Sequence, residues 1–126
     1  MKTASYTLIP FTAFGISNTI DGNYDGTSPD FNGDPVKAAA YYTKGTGLQT
    51  IATFLNQFEG VLTIEGTLEP EADTENYFAI APEIDSSVLG PITQNEAFNV
   101  DGNFTWIRAS VTNFTAGVIT KVSMGY

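Results

Sequence analysis

The stretch "GVLTIEGTL", residues 60–68, sets Val61, Thr63, Glu65 and Thr67 against Leu62, Ile64, Gly66 and Leu68 in strict alternation. Only an extended strand keeps each set on one side, because its side chains repeat every two residues where a helix repeats every 3.6. "NFTWIRASVTNF", residues 103–114, repeats the pattern, with Phe104, Trp106, Arg108 and Ser110 on one side and Ile107, Ala109 and Val111 on the other. Both of its faces are partly apolar, which predicts a central strand. "GVITKVSMGY", residues 117–126, sends Val118, Thr120, Val122 and Met124 one way and Ile119, Lys121 and Ser123 the other.

Turn residues divide these runs. "TAG", 115–117, predicts a hairpin over residues 102–126. The two glycines of "TKGTG" predict a second hairpin, between "VKAAAYY" and "LQTIATFLNQF". "ENYFAIA" and "AFNV" read as further short strands, while "KAAAYY" is too short and uncapped for a helix. Roughly seven or eight short strands in one chain predict an all-β, antiparallel β-sandwich or jelly roll. At 126 residues this is a single domain, residues 1–126, able to bury about 65% of its unfolded surface. The apolar faces nominate Leu62, Ile64, Leu68, Phe78, Trp106, Ile107, Val111, Val118 and Val122 as core. "MKTASYTLIPFTAFG" begins like a signal peptide, but Ser5, Tyr6, Thr7, Pro10 and Thr12 interrupt the apolar run, so it reads as a strand. Residues 1–14 are therefore expected to be an extended N-terminal arm or edge strand, and 17–35 a long polar loop.

The chain contains no histidine and no cysteine, which removes the commonest general base, the usual nucleophile–base pairs and thiolate metal sites. Fourteen acids face five bases for a net charge of −9, so no basic stripe can track phosphates and neither nucleic acid nor an anionic membrane is an expected partner. No apolar run approaches the ~20 residues of a membrane-spanning helix. Hydrophobic residues at 42% against 15% charged mark a globular composition.

Two loops invite a metal. In "DGNYDGTSPDFNGD", residues 21–34, Asp21, Asn23, Asp25 and Gly26 fit the first positions of a calcium loop, but Asn32 stands where a bidentate glutamate belongs. Asp21, Asn23 and Asp25 are thus weak calcium candidates, and the preferred reading is a metal-free loop of Asx turns. "EPEADTE", with Glu69, Glu71, Asp73 and Glu75, reads as a solvated turn. Glu59 and Glu65 are the nearest approach to a glycosidase pair, without a supporting motif. Trp106 with Tyr41, Tyr42 and Tyr77 could form a sugar-stacking platform, although a tryptophan in an alternating strand is more often core. "NFT" at 103 and 113 matches a glycosylation acceptor, in strand contexts that favour chance.

The succession "GDPVKAAAYYTKGTGLQTIATFLNQFEGVLTIEGTLEPEADTENYFAI" followed by "GNFTWIRASVTNFTAGVITKVSMGY" resembles small virion structural proteins of tailed bacteriophages over residues 33–126. That resemblance implies a non-enzymatic β-sandwich without cofactor, sitting in the virion on capsid or tail as a decoration or accessory subunit. Its partners would be other virion structural proteins or copies of itself. The apolar arm, through Tyr6, Leu8, Ile9, Phe11 and Phe14, is the expected partner-binding element, adding to a neighbour's sheet to build a homo-oligomer. The alternative from another class is a carbohydrate-binding module for adsorption to a host surface.

Overall fold

A computed structural model describes residues 4–41 and 47–126. They form one antiparallel sheet built around two strands of twenty residues, β5 (Leu48–Thr67) and β9 (Trp106–Gly125). Beside β9 lie β1 (Ser5–Ile9), β2 (Thr12–Ala13), β3 (Phe31–Asn32) and β4 (Val36–Lys37). Beside β5 lie β6 (Phe78–Ala79), β7 (Ile84–Asp85) and β8 (Ile92–Asp101), with a four-residue helix, α1 (Ser86–Leu89), between β7 and β8. The all-β, antiparallel architecture expected from the alternation is what the structure contains.

Twenty residues of straight strand would span ~66 Å, yet both long strands return almost to where they start. Lys37 pairs with Trp106 at the beginning of β9, and its carbonyl accepts the Tyr126 hydroxyl, 2.8 Å away, just beyond the end of β9. For β5, the amide of Ala39 donates to Gln49 Oε1 at 3.1 Å, while that of Ala38 donates to Thr105 O, whose own amide donates to Thr67 O. The sheet is therefore folded over on itself, an arrangement consistent with a sandwich. Its two halves share one core, containing Ile51, Leu55, Phe58, Leu62 and Ile64 from β5 and Ile107, Val111, Phe114, Ile119, Val122 and Met124 from β9.

β-Bulges make the fold-over possible. Asn56 to Glu59 advances three residues along β5 while the partners Val118 to Ala116 advance two, and Gln57 takes a positive φ of 54°. On β9, Asn113 also has φ 54°, and the chain advances four residues from Thr112 to Ala116 while the partners Glu59 to Val61 advance only two. An extra residue twists a strand and reverses which parity faces inward. Accordingly the buried positions of β5 are odd through Leu55 and even from Phe58 to Gly66, with Thr67 buried as well at the strand's end. The strand changes direction and keeps its apolar side inside.

A bulge leaves amide groups without ladder partners, and other segments satisfy them. Gln57 N donates to Thr93 Oγ1 at 3.0 Å and Gly60 N to Ser86 Oγ at 2.9 Å. Asn113 N donates to Asp30 Oδ1 at 3.0 Å and Phe114 N to Pro29 O at 2.9 Å. Gly117, at φ +90°, lies against the Gln57 carbonyl so closely that a Cβ would collide with it. The two bulges thus nest together at the crease.

These devices correct several expectations. Residues 102–126 are not a hairpin, because "TAG" is part of the β9 bulge within one continuous strand. Among the described residues β4 pairs with β9 and not with β5, which corrects the pairing expected of the second hairpin; its turn, together with Tyr42, lies mostly outside the described residues. Leu62, Ile64, Ile107, Val111 and Val122 are buried as expected, but Leu68 is 65% and Phe78 45% exposed. Leu68 follows the last residue of β5 and so escapes its alternation. Phe78 belongs to a two-residue edge strand. Val118 is half-buried and Ile119 takes its inward place, since one residue of β9 is extra between Ile119 and Lys121. Trp106 stands on the outer face and is half-buried.

Candidate functional site

The loop at 17–35 is polar in composition but firmly anchored. Tyr24 is fully buried, packing on Phe31 and Phe114 at centroid distances of 5.1 and 5.2 Å, and its hydroxyl accepts from Gly15 N at 2.9 Å. Its own amide donates to Asn18 Oδ1, while Asn18 Nδ2 donates to Thr12 Oγ1 at 2.6 Å. At the far end of the loop, a Cβ on Gly33 would run into the carbonyl of Leu8, so only glycine lets the backbone lie so close to β1.

Within this loop the three calcium candidates do not point at a common centre. Asp25 Oδ1 accepts from Thr27 N and Ser28 N, and Oδ2 from Ser28 Oγ at 2.6 Å, which makes an Asx turn. Those bonds, the Ser28 hydroxyl first, hold the Asp25 carboxyl well below the usual carboxylate range. Asn23 Nδ2 donates instead to Asn32 O and Asp34 Oδ1, at 2.8 and 2.9 Å. Among the described residues no group of three or more acids is placed to hold a metal ion.

What the structure does bring together is the two acidic loops, facing each other across Arg108. A cleft of about 330 Å³ is lined by Asn23, Asn32, Gly33, Asp34 and Pro35 from one loop, Ala72, Asp73 and Thr74 from the other, and Arg108 from β9. Arg108 and Glu65 are direct cross-strand partners, and Nε donates to Glu65 Oε1 at 2.8 Å with both side chains about one-fifth exposed. The guanidinium lies over the Tyr77 ring, 3.9 Å from its centroid. Tyr77 is fixed in turn by donating its hydroxyl to Ala72 O at 2.9 Å, and its burial pushes its pKa up, partly opposed by Arg108. Arg108 is thereby held flat and in one place. No local motif marks this site, which arises only when residues about 85 positions apart in sequence meet across the sheet.

The aromatic platform is partly assembled next to it. Tyr41 meets Trp106 edge to face at 5.2 Å, Lys37 Nζ stands 4.9 Å from the Tyr41 centroid, and Trp106 Nε1 donates to Pro70 O at 3.3 Å. Tyr77 is separate from this group, under Arg108. Glu65 is engaged by Arg108, and Glu59 lies six residues away from it on the same strand.

The arm expected to reach a neighbour belongs to this chain's own sheet. β1 pairs with the end of β9, Tyr6 opposite Met124 and Thr7 opposite Ser123. Leu8 and Ile9 are each 1% exposed and lie in the core, so their side chains are not available to a partner. Tyr6 stacks on Tyr126 at 5.2 Å. The exposed apolar surface lies further along: Phe11 is 61%, Phe14 46%, Ile16 66% and Ile20 96% accessible. Phe11, Ile16 and Ile20 line a cleft of about 380 Å³ with Ala13, Ser17, Asn18 and Asp21. No sequence pattern marks Ile16 and Ile20, which sit singly among Ser, Asn, Thr and Asp.

Compared with known proteins, the chain matches no family, and neither a curated protein nor a solved structure shows significant similarity to it.

Proposed function

We propose that this protein is a non-catalytic structural subunit that works by packing against other proteins, as an accessory or decoration subunit of a tailed-phage virion. The observation that carries the packing role is the apolar turn Phe11–Ile20, in which four large side chains are turned to solvent on a backbone that is held in place. Asn18 fixes this turn through Tyr24 N, Thr12 Oγ1 and the carbonyl of Phe11. The surface therefore needs little ordering on docking, which favours binding. An exposed apolar cluster on a rigid support is the kind of surface that protein partners cover. The particle setting rests on the sequence resemblance over residues 33–126.

The test replaces Ile16 and Ile20 together with Asp. Both are highly exposed, so the folded domain should keep its stability within about 0.5 kcal/mol. In particle reconstitution the doubly substituted protein should fail to incorporate, while the unaltered protein incorporates at fixed stoichiometry. Normal copy number in the particle with both aspartates present would refute this surface as the docking element. Absence of the unaltered protein from purified particles would refute the virion role itself.

A further inference from the structure

We infer that the cleft over Arg108 is a binding site for a neutral polyhydroxylated ligand, a sugar residue of a glycan. The inference is independent of the packing role, since this cleft and the apolar turn use different residues.

The first ground is the state of Arg108. One of its nitrogens is committed to Glu65 and its plane is stacked on Tyr77, so the side chain has already lost the freedom that binding would otherwise have to remove. Among the described residues its two terminal nitrogens make no hydrogen bond, which leaves a fixed fork of donors lining the cleft. Charge-assisted bonds from such a fork are shorter and stronger than neutral ones.

The second ground is what faces that fork. The other lining residues are Asp34 and Asp73, which carry carboxylates, Asn23, Asn32 and Thr74, which are polar and uncharged, and Gly33, Pro35 and Ala72, which are apolar. Asn23 is oriented by its bonds to Asn32 O and Asp34 Oδ1. A ligand seated here meets a cationic donor, Arg108, and two acidic residues, Asp34 and Asp73, within one small volume. A carboxylate or a fully ionised phosphate only accepts, and its negative charge would be set against two aspartates. An ammonium group only donates and would be set against the guanidinium. A hydroxyl does both, and vicinal hydroxyls on a ring present the two roles side by side, with C–H faces for Pro35 and Ala72. The volume of about 330 Å³ lies at the low end of the ~300–1,000 Å³ of ligand sites, which fits one ring or a chain end and not a long oligosaccharide.

The experiment is an NMR titration of the full chain with glucose, galactose, mannose and N-acetylglucosamine at millimolar concentration, with sialic acid and spermidine as the anionic and cationic arms. At least one neutral sugar should shift the Arg108 Nε–H and the amides of Asn32, Asp73 and Thr74, with saturation transfer to the sugar. Arg108→Lys, which keeps the charge and loses the fork, should weaken that binding at least tenfold. Asp73→Asn, on an exposed loop where loss of fold is not a concern, should weaken it severalfold. The assignment is overturned if no neutral sugar perturbs these resonances, if shifts appear only with sialic acid or only with spermidine, if they map elsewhere on the protein, or if both substitutions bind as the unaltered protein does.

Discussion

Gly117→Ala tests whether the crease of the sheet is as tightly nested as its geometry requires. Two costs arise at that position. An alanine at φ +90° is forced into a conformation that non-glycine residues rarely adopt, which costs about 1–3 kcal/mol. The new Cβ would also overlap the Gln57 carbonyl oxygen and sit 2.8 Å from Phe58 Cα, and these are backbone atoms that no rotamer change can move aside. Relief requires the β5 bulge to shift away from β9, disturbing the Phe58–Phe114 stack at 5.7 Å. Gly15→Ala separates the two costs: Gly15 has φ +83° but nothing within 4 Å of its would-be Cβ, so it carries the dihedral cost alone. Urea unfolding should give a loss of about 1 kcal/mol for Gly15→Ala and about 3–5 kcal/mol for Gly117→Ala. At roughly 3–5 °C per kcal/mol for a chain of this size, the second corresponds to a melting temperature lower by about 10–25 °C. Equal losses for the two variants, within about 0.5 kcal/mol, would refute the claim that contact between the bulges holds the crease.

Tyr24→Phe removes the acceptor of Gly15 N and should cost about 1 kcal/mol, while Tyr24→Ala empties a fully buried aromatic site and should cost about 3–5 kcal/mol by urea unfolding. A loss below about 1 kcal/mol for Tyr24→Ala would mean that the loop is not anchored through this ring. The carboxyls of Asp25 and Asp85 are both held below their ordinary range, Asp25 chiefly by the Ser28 hydroxyl and Asp85 chiefly by that of Ser87. A folded-state pKa below the unfolded one means that the stabilisation is present above about pH 4 and is lost as pH falls through the lower folded-state values. Melting temperatures followed from about pH 6 to about pH 2 should therefore fall less steeply in Asp25→Asn than in the unaltered protein. An unchanged slope would show that the Asx turn makes no contribution to folding.

The alternation of Leu62 and Ile64, and of Ile107, Ala109 and Val111, was legible because these residues lie within uninterrupted ladder and one face of each is dry. The crease was not, because a residue with positive φ looks the same in a two-residue turn as in a bulge. Gly117, in "TAG", reads as a hairpin turn for that reason, and only the partner strand, continuous on the other side, decides between the two. The same one-residue extras defeat a face assignment made across them, which is how Ile119 replaced Val118. Tyr24 lies in a loop with no period to flag it, and its burial depends on Phe31 and Phe114 arriving from elsewhere. The Arg108 cleft was visible only as its parts: both acidic loops stood out for their charge, but neither loop contains the arginine that gives the pair a purpose.

The pairing of β1 with the last residues of β9 has a consequence for the order of events in folding. Ser5 is placed opposite Gly125, and Ala4 and Tyr126 exchange amide hydrogen bonds of 2.9 and 3.1 Å. During synthesis, β1 emerges long before the strand it pairs with, and Tyr6 and Ile9 have no ladder partners until Met124 and Val122 exist. Closing a loop of more than a hundred residues is entropically costly and sets a slow, late step in all-β folding, on the scale of milliseconds to seconds. The nascent protein therefore carries a sticky, unpaired "SYTLI" segment from the emergence of β1 until the end of β9 follows it. That interval is when a chaperone has something to hold and when neighbouring nascent chains have an edge to capture.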